Sequence, residues 1–152
     1  MLQVAFNIGR PEDLIDWTIA ICTQSYCKHS ELYFSNGQSF SSDPGYGGTH
    51  FTVRDYSDPN KWELVALPWI TSDMEADIYR FCNQELGCRY DWKAVLLGWL
   101  ITPCNSINDW FCTELCLAAL RPYLKWTVDR WYTPIQFMEA LEMENRYRTI
   151  LS

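Results

Sequence analysis

The first 25 residues predict one strand followed by one helix. Leu2 to Ile8 alternates loosely between apolar and polar side chains, which is the period of a strand with one buried face. Pro11, Glu12 and Asp13 come next, and a proline followed by acids suits the first turn of a helix. The apolar residues after them extend this predicted helix to about Cys22.

A β-hairpin is predicted over residues 28 to 42. Asn36-Gly37 separates two strand-like runs, and Asn-Gly is a strong hairpin signal because both central residues of the turn need positive φ. A two-residue turn at Asn36-Gly37 pairs Tyr33 with Phe40 and Glu31 with Ser42. Side chains alternate between faces along each strand, so this register decides which polar residues lie together.

Two more strands are predicted in the next segment. Residues 43 to 48 contain Asp, Pro and several Gly, a composition typical of a loop. His50 to Tyr56 and Lys61 to Pro68 then have strand-like composition, and the turn residues between them separate the two runs. The first half of the chain therefore predicts a small antiparallel sheet.

The second half of the chain changes to helical spacing. Thr71-Ser72-Asp73 is suited to cap a helix and Gly87 to end one. Residues 103 to 109 are predicted as a loop. The predicted helices are Met74 to Leu86, Asp91 to Leu100, Trp110 to Leu120 and Pro134 to Glu144. Together with the sheet they predict an α+β fold, in which the small antiparallel β-sheet packs against helices.

Length and composition favour a single domain over residues 1 to 152. The chain is 48% hydrophobic and 20% charged, with 8 Trp, 9 Tyr and 7 Phe, so it has enough large apolar side chains for one core. A domain of this length buries roughly two thirds of the surface that its unfolded chain exposes. We find no repeat, linker or low-complexity segment that would divide the sequence.

Charge and hydropathy exclude two classes of partner. With 12 basic and 19 acidic residues the formal charge is -7, which repels phosphate backbones, so nucleic acid is not expected to bind. The longest apolar run, near Ala94 to Thr102, is far shorter than the roughly 20 residues that span a bilayer, so no transmembrane segment is expected. No signal peptide is recognisable, and we expect a cytoplasmic protein.

The seven cysteines are expected to be mostly reduced thiols. An odd number cannot pair completely within one chain, and no two cysteines have the C-x-x-C spacing of a zinc ribbon. Neither a metal nor another cofactor is therefore expected. Without a secretion signal the compartment is expected to be reducing. Most of the cysteines should be small buried apolar residues, and one or two should be chemically special.

One cysteine and one histidine stand in positions suited to nucleophilic catalysis. Cys112 lies in the first turn of a predicted helix, where unpaired N–H groups and the positive end of the dipole stabilise a thiolate. Cys116 is one turn later and loses most of that field. His29 opens a strand, from which its imidazole can project toward the helix and lower the pKa of the thiol. The alternative is that Cys112 is one more buried cysteine and His29 a polar residue at a strand end.

Four segments of the chain occur in a characteristic order. They are Lys28 to Phe34, Ser39 to Ser42, Tyr90-Asp91-Trp92 after Gly87, and Trp110 to Glu114. In this order and spacing the chain resembles the circularly permuted NlpC-type papain-like superfamily, which includes lecithin:retinol acyltransferase-like proteins and small bacterial and bacteriophage hydrolases. In that branch the His-bearing sheet precedes the Cys-bearing helix, as it does here. The resemblance covers roughly residues 1 to 125 and implies a single permuted papain-like domain.

The resemblance also implies roles for particular residues. A Cys nucleophile matches Cys112, and a His base matches His29. A polar third residue should orient the imidazole from the neighbouring strand, where members of the superfamily often carry a strong acceptor. This chain has serines there instead, followed by Asp43. Asp43 would need a bulge in the strand to reach the site. In the predicted register Ser42 and Glu31 share a face with His29, so Ser42 is the first candidate for this role and Glu31 the second.

Tyr90 is a candidate substrate-binding residue. It stands just before a predicted helix, where members of the superfamily often have a Tyr near the active site. The resemblance therefore implies contact with the substrate, and ordinary packing is the alternative.

The activity that the resemblance implies is hydrolysis or acyl transfer at an amide, ester or thioester carbonyl, through a covalent acyl-enzyme. Peptide, isopeptide and lipid acyl substrates all occur on such folds, so the fold does not choose among them. A phage-encoded peptidase or amidase would act in the host cytoplasm. The alternative is a non-catalytic interaction module on a degenerate papain-like scaffold, which the weak third residue favours. The oligomeric state stays open.

Overall fold

The computed structural model describes residues 1–23, 25–93, 109–126 and 132–151. Within these ranges the chain is a mixed α+β structure with seven strands and four α-helices. The strands are β1 (Gln3–Asn7), β2 (His29–Tyr33), β3 (Ser39–Asp43), β4 (Gly48–Thr52), β5 (Trp62–Ala66), β6 (Arg89–Tyr90) and β7 (Asp109–Trp110). The helices are α1 (Leu14–Thr23), α2 (Ser72–Gln84), α3 (Cys112–Leu120) and α4 (Pro134–Leu151).

The strands form one sheet in the order β5-β1-β2-β3-β4-β6-β7. All neighbours are antiparallel except β6 and β7, which are parallel. The α+β class is as predicted, but the sheet is larger than the small antiparallel sheet expected and is not purely antiparallel. Strand β4 ends at Thr52 instead of Tyr56, and α4 runs to Leu151 instead of Glu144. Most of the predicted helix 91–100 and residues 103–108 of the predicted loop 103–109 lie outside the described residues. Asp109 and Trp110 form β7 instead of ending that loop and starting a helix.

The two faces of the sheet differ in polarity. Val4, Phe6, Leu32 and Phe40 are fully buried and point to the face that α3 and α4 cover. The Phe6 ring meets Phe137 of α4 edge-on, with 5.6 Å between centroids. The opposite face of β2 and β3 carries polar residues that are also fully buried, among them Glu31, Ser39 and Ser41. Alternation along each strand thus places an apolar core on one side and a buried polar layer on the other.

Helix α3 lies across the middle of the sheet. Seven of its nine residues are buried, which suits a helix that is apolar on nearly every side. Thr113 places its Oγ1 3.4 Å from Ser30 Oγ on β2, so the first turn of the helix rests against the start of that strand. Phe111 precedes the helix with extended backbone and makes no side-chain cap. The prediction that Cys112 lies in the first turn is confirmed, since α3 begins there.

The turn of the β2–β3 hairpin differs from the predicted two-residue turn. Gly37 N–H donates to Phe34 O at 3.0 Å, and Phe34 N–H donates to Gln38 O at 2.9 Å. Gly37 has φ +85, so a type I turn is followed by a glycine in the left-handed region and the loop holds three residues. The pairing becomes Leu32 with Phe40 and Tyr33 with Ser39, one residue away from the predicted register.

Gly37 in the hairpin turn and Gly48 in β4 should differ sharply in their tolerance of a side chain. A Cβ on Gly48, at φ +150, would lie 1.9 Å from Cys88 O, where β6 is drawn against β4. A Cβ on Gly37 meets nothing within 4 Å. We expect Gly37→Ala to lower the free energy of unfolding by roughly 1–2 kcal/mol from positive φ alone, and Gly48→Ala by roughly 2–5 kcal/mol because the overlap adds to it. Urea unfolding of the two variants measures the difference, and equal losses would contradict the close approach.

Candidate active site

His29 and Cys112 meet where the start of β2 lies under the start of α3. His29 pairs across the sheet with Asn7, and its side chain is 13% exposed. Cys112 has no exposed surface and packs with Ile19, Tyr90 and Phe111. The Cys112 side chain lies close enough to raise the pKa of the His29 imidazole. The structure therefore brings together the two residues that the sequence predicted as base and nucleophile.

The charge of His29 depends on its two neighbours. Burial by itself lowers the pKa of the imidazole, but the Cys112 side chain and then the Glu31 carboxylate raise the pKa to about 10. His29 Nε2 lies 3.4 Å from Glu31 Oε1. The imidazole is thus protonated at neutral pH and held between a sulfur and a carboxylate.

Glu31 is the acceptor that lies against His29. Its side chain is fully buried, yet both carboxylate oxygens are contacted: Arg54 Nε lies 3.0 Å from Oε1, and the Tyr56 hydroxyl donates to Oε2 at 2.7 Å. Burial raises the pKa of the carboxyl, but His29, Arg54 and Tyr56 together hold the pKa below its usual value. Glu31, the second of the two predicted candidates, is therefore an ionised carboxylate 3.4 Å from His29 Nε2.

Ser42 does not lie against His29, so its prediction as the first candidate for the third residue was wrong. The three-residue turn shifts the register by one, and such a shift moves a side chain to the opposite face of the sheet. Ser42 Oγ instead donates to Trp110 O at 2.6 Å. This bond ties β3 to the residues that enter α3, so Ser42 supports the position of Cys112 through the backbone.

The sequence did not point to Arg54 or Tyr56. Both had been assigned to the end of a strand, whereas β4 stops at Thr52 and the chain then folds over the polar face. One signal could have found them, because a buried glutamate needs charged or hydroxyl partners, and an Arg and a Tyr two residues apart can supply both from one segment.

Tyr90 lies beside Cys112, as predicted from the resemblance. It is 7% exposed and belongs to the same buried cluster as the thiol. Its hydroxyl is buried without a hydrogen-bond partner. Burial, followed by the nearby Cys112 and Asp43, raises the pKa of the phenol well above its usual value, so the hydroxyl keeps its proton. The side chain that carries this unpartnered donor therefore packs in the same buried cluster as Cys112.

A polar cleft of about 230 Å³ opens beside His29. Charged side chains line much of it, and they occur in pairs: Lys28 with Asp16, and Lys61 with Glu12 at 2.8 Å. Ile19 of α1 both lines the cleft and packs with Cys112. A substrate carbonyl that entered through the cleft would therefore have to pass Ile19 to reach the sulfur.

The other described cysteines lie in different environments from Cys112. Cys27, Cys82, Cys88, Cys112 and Cys116 are free thiols. Burial raises the pKa of Cys27 to about 12 and that of Cys116 well above its usual value, so both stay protonated. Cys22 and Cys104 carry no described side chain. Neither Cys27 nor Cys116 thus has a cationic partner like the His29 imidazolium near Cys112.

The described residues contain neither a membrane-spanning helix nor a metal-binding cluster. There, no helix is long and apolar enough to cross a bilayer. Across the same ranges we find no cluster of three His, Cys, Asp or Glu side chains that could hold a metal ion.

Neither a scan of the chain against protein-family models nor a search among curated proteins gives a match.

Proposed function

We propose that the protein is a thiol hydrolase or acyltransferase with a permuted papain-like fold, in which Cys112 is the nucleophile and His29 the base. The observation that carries this proposal is the Cys112–His29–Glu31 arrangement. The Cys112 sulfur stands at the start of a helix near a protonated imidazole, and a buried carboxylate lies 3.4 Å from that imidazole. Such an arrangement supplies a thiolate at neutral pH and a proton for the leaving group.

The reaction begins from a Cys112 thiolate beside the protonated His29. The thiolate attacks the carbonyl carbon of an amide, ester or thioester and forms a tetrahedral oxyanion. His29 then gives its proton to the leaving amine, alcohol or thiol, and a thioester remains on Cys112. Water or a second nucleophile attacks this thioester, so the same steps lead to hydrolysis or to acyl transfer.

The oxyanion has two kinds of donor within reach. The first N–H groups of α3 receive no cap from the Phe111 side chain, and the positive end of the helix dipole is directed at the sulfur. The Tyr90 hydroxyl is the second donor, and it has no other hydrogen-bond partner. Donors that are already in place where charge develops give the largest stabilisation of the transition state.

The alternative is a non-catalytic interaction module on the same scaffold. The complete burial of Cys112 favours this alternative, because a nucleophile must reach its substrate. Glu31 weakens it, since the ionised carboxylate beside His29 is the acceptor that a degenerate site would lack. Reaction at the sulfur separates the two functions.

We expect iodoacetamide to alkylate Cys112 faster than Cys27, Cys82 or Cys116 near neutral pH. His29→Ala removes the positive charge beside the sulfur, so the rate at Cys112 should fall about tenfold or more while the fold persists. Peptide mapping by mass spectrometry measures each site, and Cys116→Ser is the control that should leave the rate unchanged. If Cys112 alkylation ignores His29, the pair is wrong and the interaction module becomes the better reading.

The covalent intermediate gives the direct test of function. Incubation with p-nitrophenyl acetate should place one acetyl group on the protein, detected by intact mass and mapped to Cys112. Cys112→Ala should lose the adduct, and Cys116→Ser should keep it. A protein that is alkylated at Cys112 but never acylated would contradict the catalytic proposal.

Tyr90→Phe should separate acylation from alkylation. Acylation passes through an oxyanion, and alkylation by iodoacetamide does not. Loss of the Tyr90 hydroxyl should therefore slow acylation by about 10²-fold or more, as at other oxyanion donors, and leave alkylation unchanged. Stopped-flow release of p-nitrophenol measures acylation, and the rate of iodoacetamide labelling is the internal control. Equal slowing of both reactions would show that Tyr90 acts only in packing.

A further inference from the structure

Two side chains from one segment hold the carboxylate behind His29. Residues 53–61 connect β4 to β5 and fold back over the polar face of the sheet. Arg54 and Tyr56 are two residues apart and both reach Glu31, whereas Val53 is 79% exposed. The segment therefore touches the site through these two side chains.

The Tyr56 hydroxyl is fixed from several directions. Ser39 Oγ of β3 contacts the same oxygen that donates to Glu31. The Tyr56 ring packs against Tyr33, with 4.8 Å between centroids, and meets Trp62 edge-on at 4.9 Å. Because the ring is held on two sides, the hydroxyl has one position, and that position serves Glu31.

Arg54 supplies a positive charge beside Glu31. Its guanidinium lies over the Trp62 ring, 5.4 Å from the centroid, and its side chain lines the cleft beside His29. The Arg54–Glu31 pair is neutral, so a protonated His29 and a Cys112 thiolate would form a second neutral pair beside it. Without Arg54 the negative charge of Glu31 would oppose the thiolate.

We propose that Arg54 and Tyr56 are positioning residues that keep Glu31 ionised and directed at His29, an inference that rests on the proposed function of Cys112 and His29. The groups that face Glu31 are His29 on its own strand, Arg54 and Tyr56 from residues 53–61, and Cys116 from α3. The first three favour the charged carboxyl, while burial opposes it. Removing either positioning residue therefore raises the pH at which Glu31 becomes protonated.

The test follows the titration of Glu31 in Tyr56→Phe and Arg54→Gln. We expect its midpoint, read from the ¹³C shift of the side-chain carboxyl, to rise by about one pH unit in each variant. The acid limb of Cys112 acylation should move in the same direction, since below that midpoint the imidazolium loses its acceptor. Arg54→Lys retains the charge and should recover part of the shift. Tyr33→Phe removes a hydroxyl from the ring beside Tyr56 and should change neither quantity.

The outcomes distinguish this inference from the proposed function. If Tyr56→Phe fails to fold, Ser39→Ala acts on Glu31 only through Tyr56 and should give a smaller shift of the same sign. An unchanged Glu31 midpoint in folded variants, or an equal change in Tyr33→Phe, would overturn the inference. The carboxyl titration needs no activity, so a shifted midpoint in a protein that forms no acyl-enzyme would support the positioning roles and contradict only the catalysis.

Discussion

A carboxylate in the middle of the protein must have partners, and much of the structure around the site follows from that constraint. An ionised carboxylate without partners is strongly disfavoured in a buried position. Glu31 has no exposed surface; a phenol donates to Oε2, and a guanidinium and an imidazole lie 3.0 and 3.4 Å from Oε1. The chain after β4 therefore turns back over the sheet, because continuing as a strand would carry Arg54 and Tyr56 away from Glu31.

The same constraint separates the two faces of β2. One face contributes Leu32 to the apolar core under α3, and the other contributes Glu31 to the polar layer. His29 stands at the end of the strand, where it can reach both the carboxylate and the sulfur. The candidate site thus lies where the apolar core, which disfavours charge, meets the polar layer that contains the charged Glu31.

Local patterns were sufficient for most of the elements, but not for β6 and β7 or for the register of the hairpin. Apolar spacing predicted β1, α2 and most of α3, and Asn36-Gly37 predicted the hairpin, because each depends on residues close in sequence. Ser42 was misplaced because Asn36-Gly37 also fits a three-residue loop, and nothing local distinguishes the two turns. Arg54 and Tyr56 were missed because their role depends on a glutamate more than 20 residues earlier, a relation that composition and periodicity do not contain.

The wide sequence separation of the two halves of the site affects how the protein is made. Ser30 and Thr113, which join β2 to α3, are 83 residues apart. Contacts between distant residues form late, because closing a long loop costs entropy before any contact offsets it. A ribosome releases the hairpin with the imidazole and its carboxylate well before the helix with the sulfur. The growing chain therefore carries His29 and Glu31 without Cys112, and the candidate site is complete only after translation has passed Cys112 and α3 has docked.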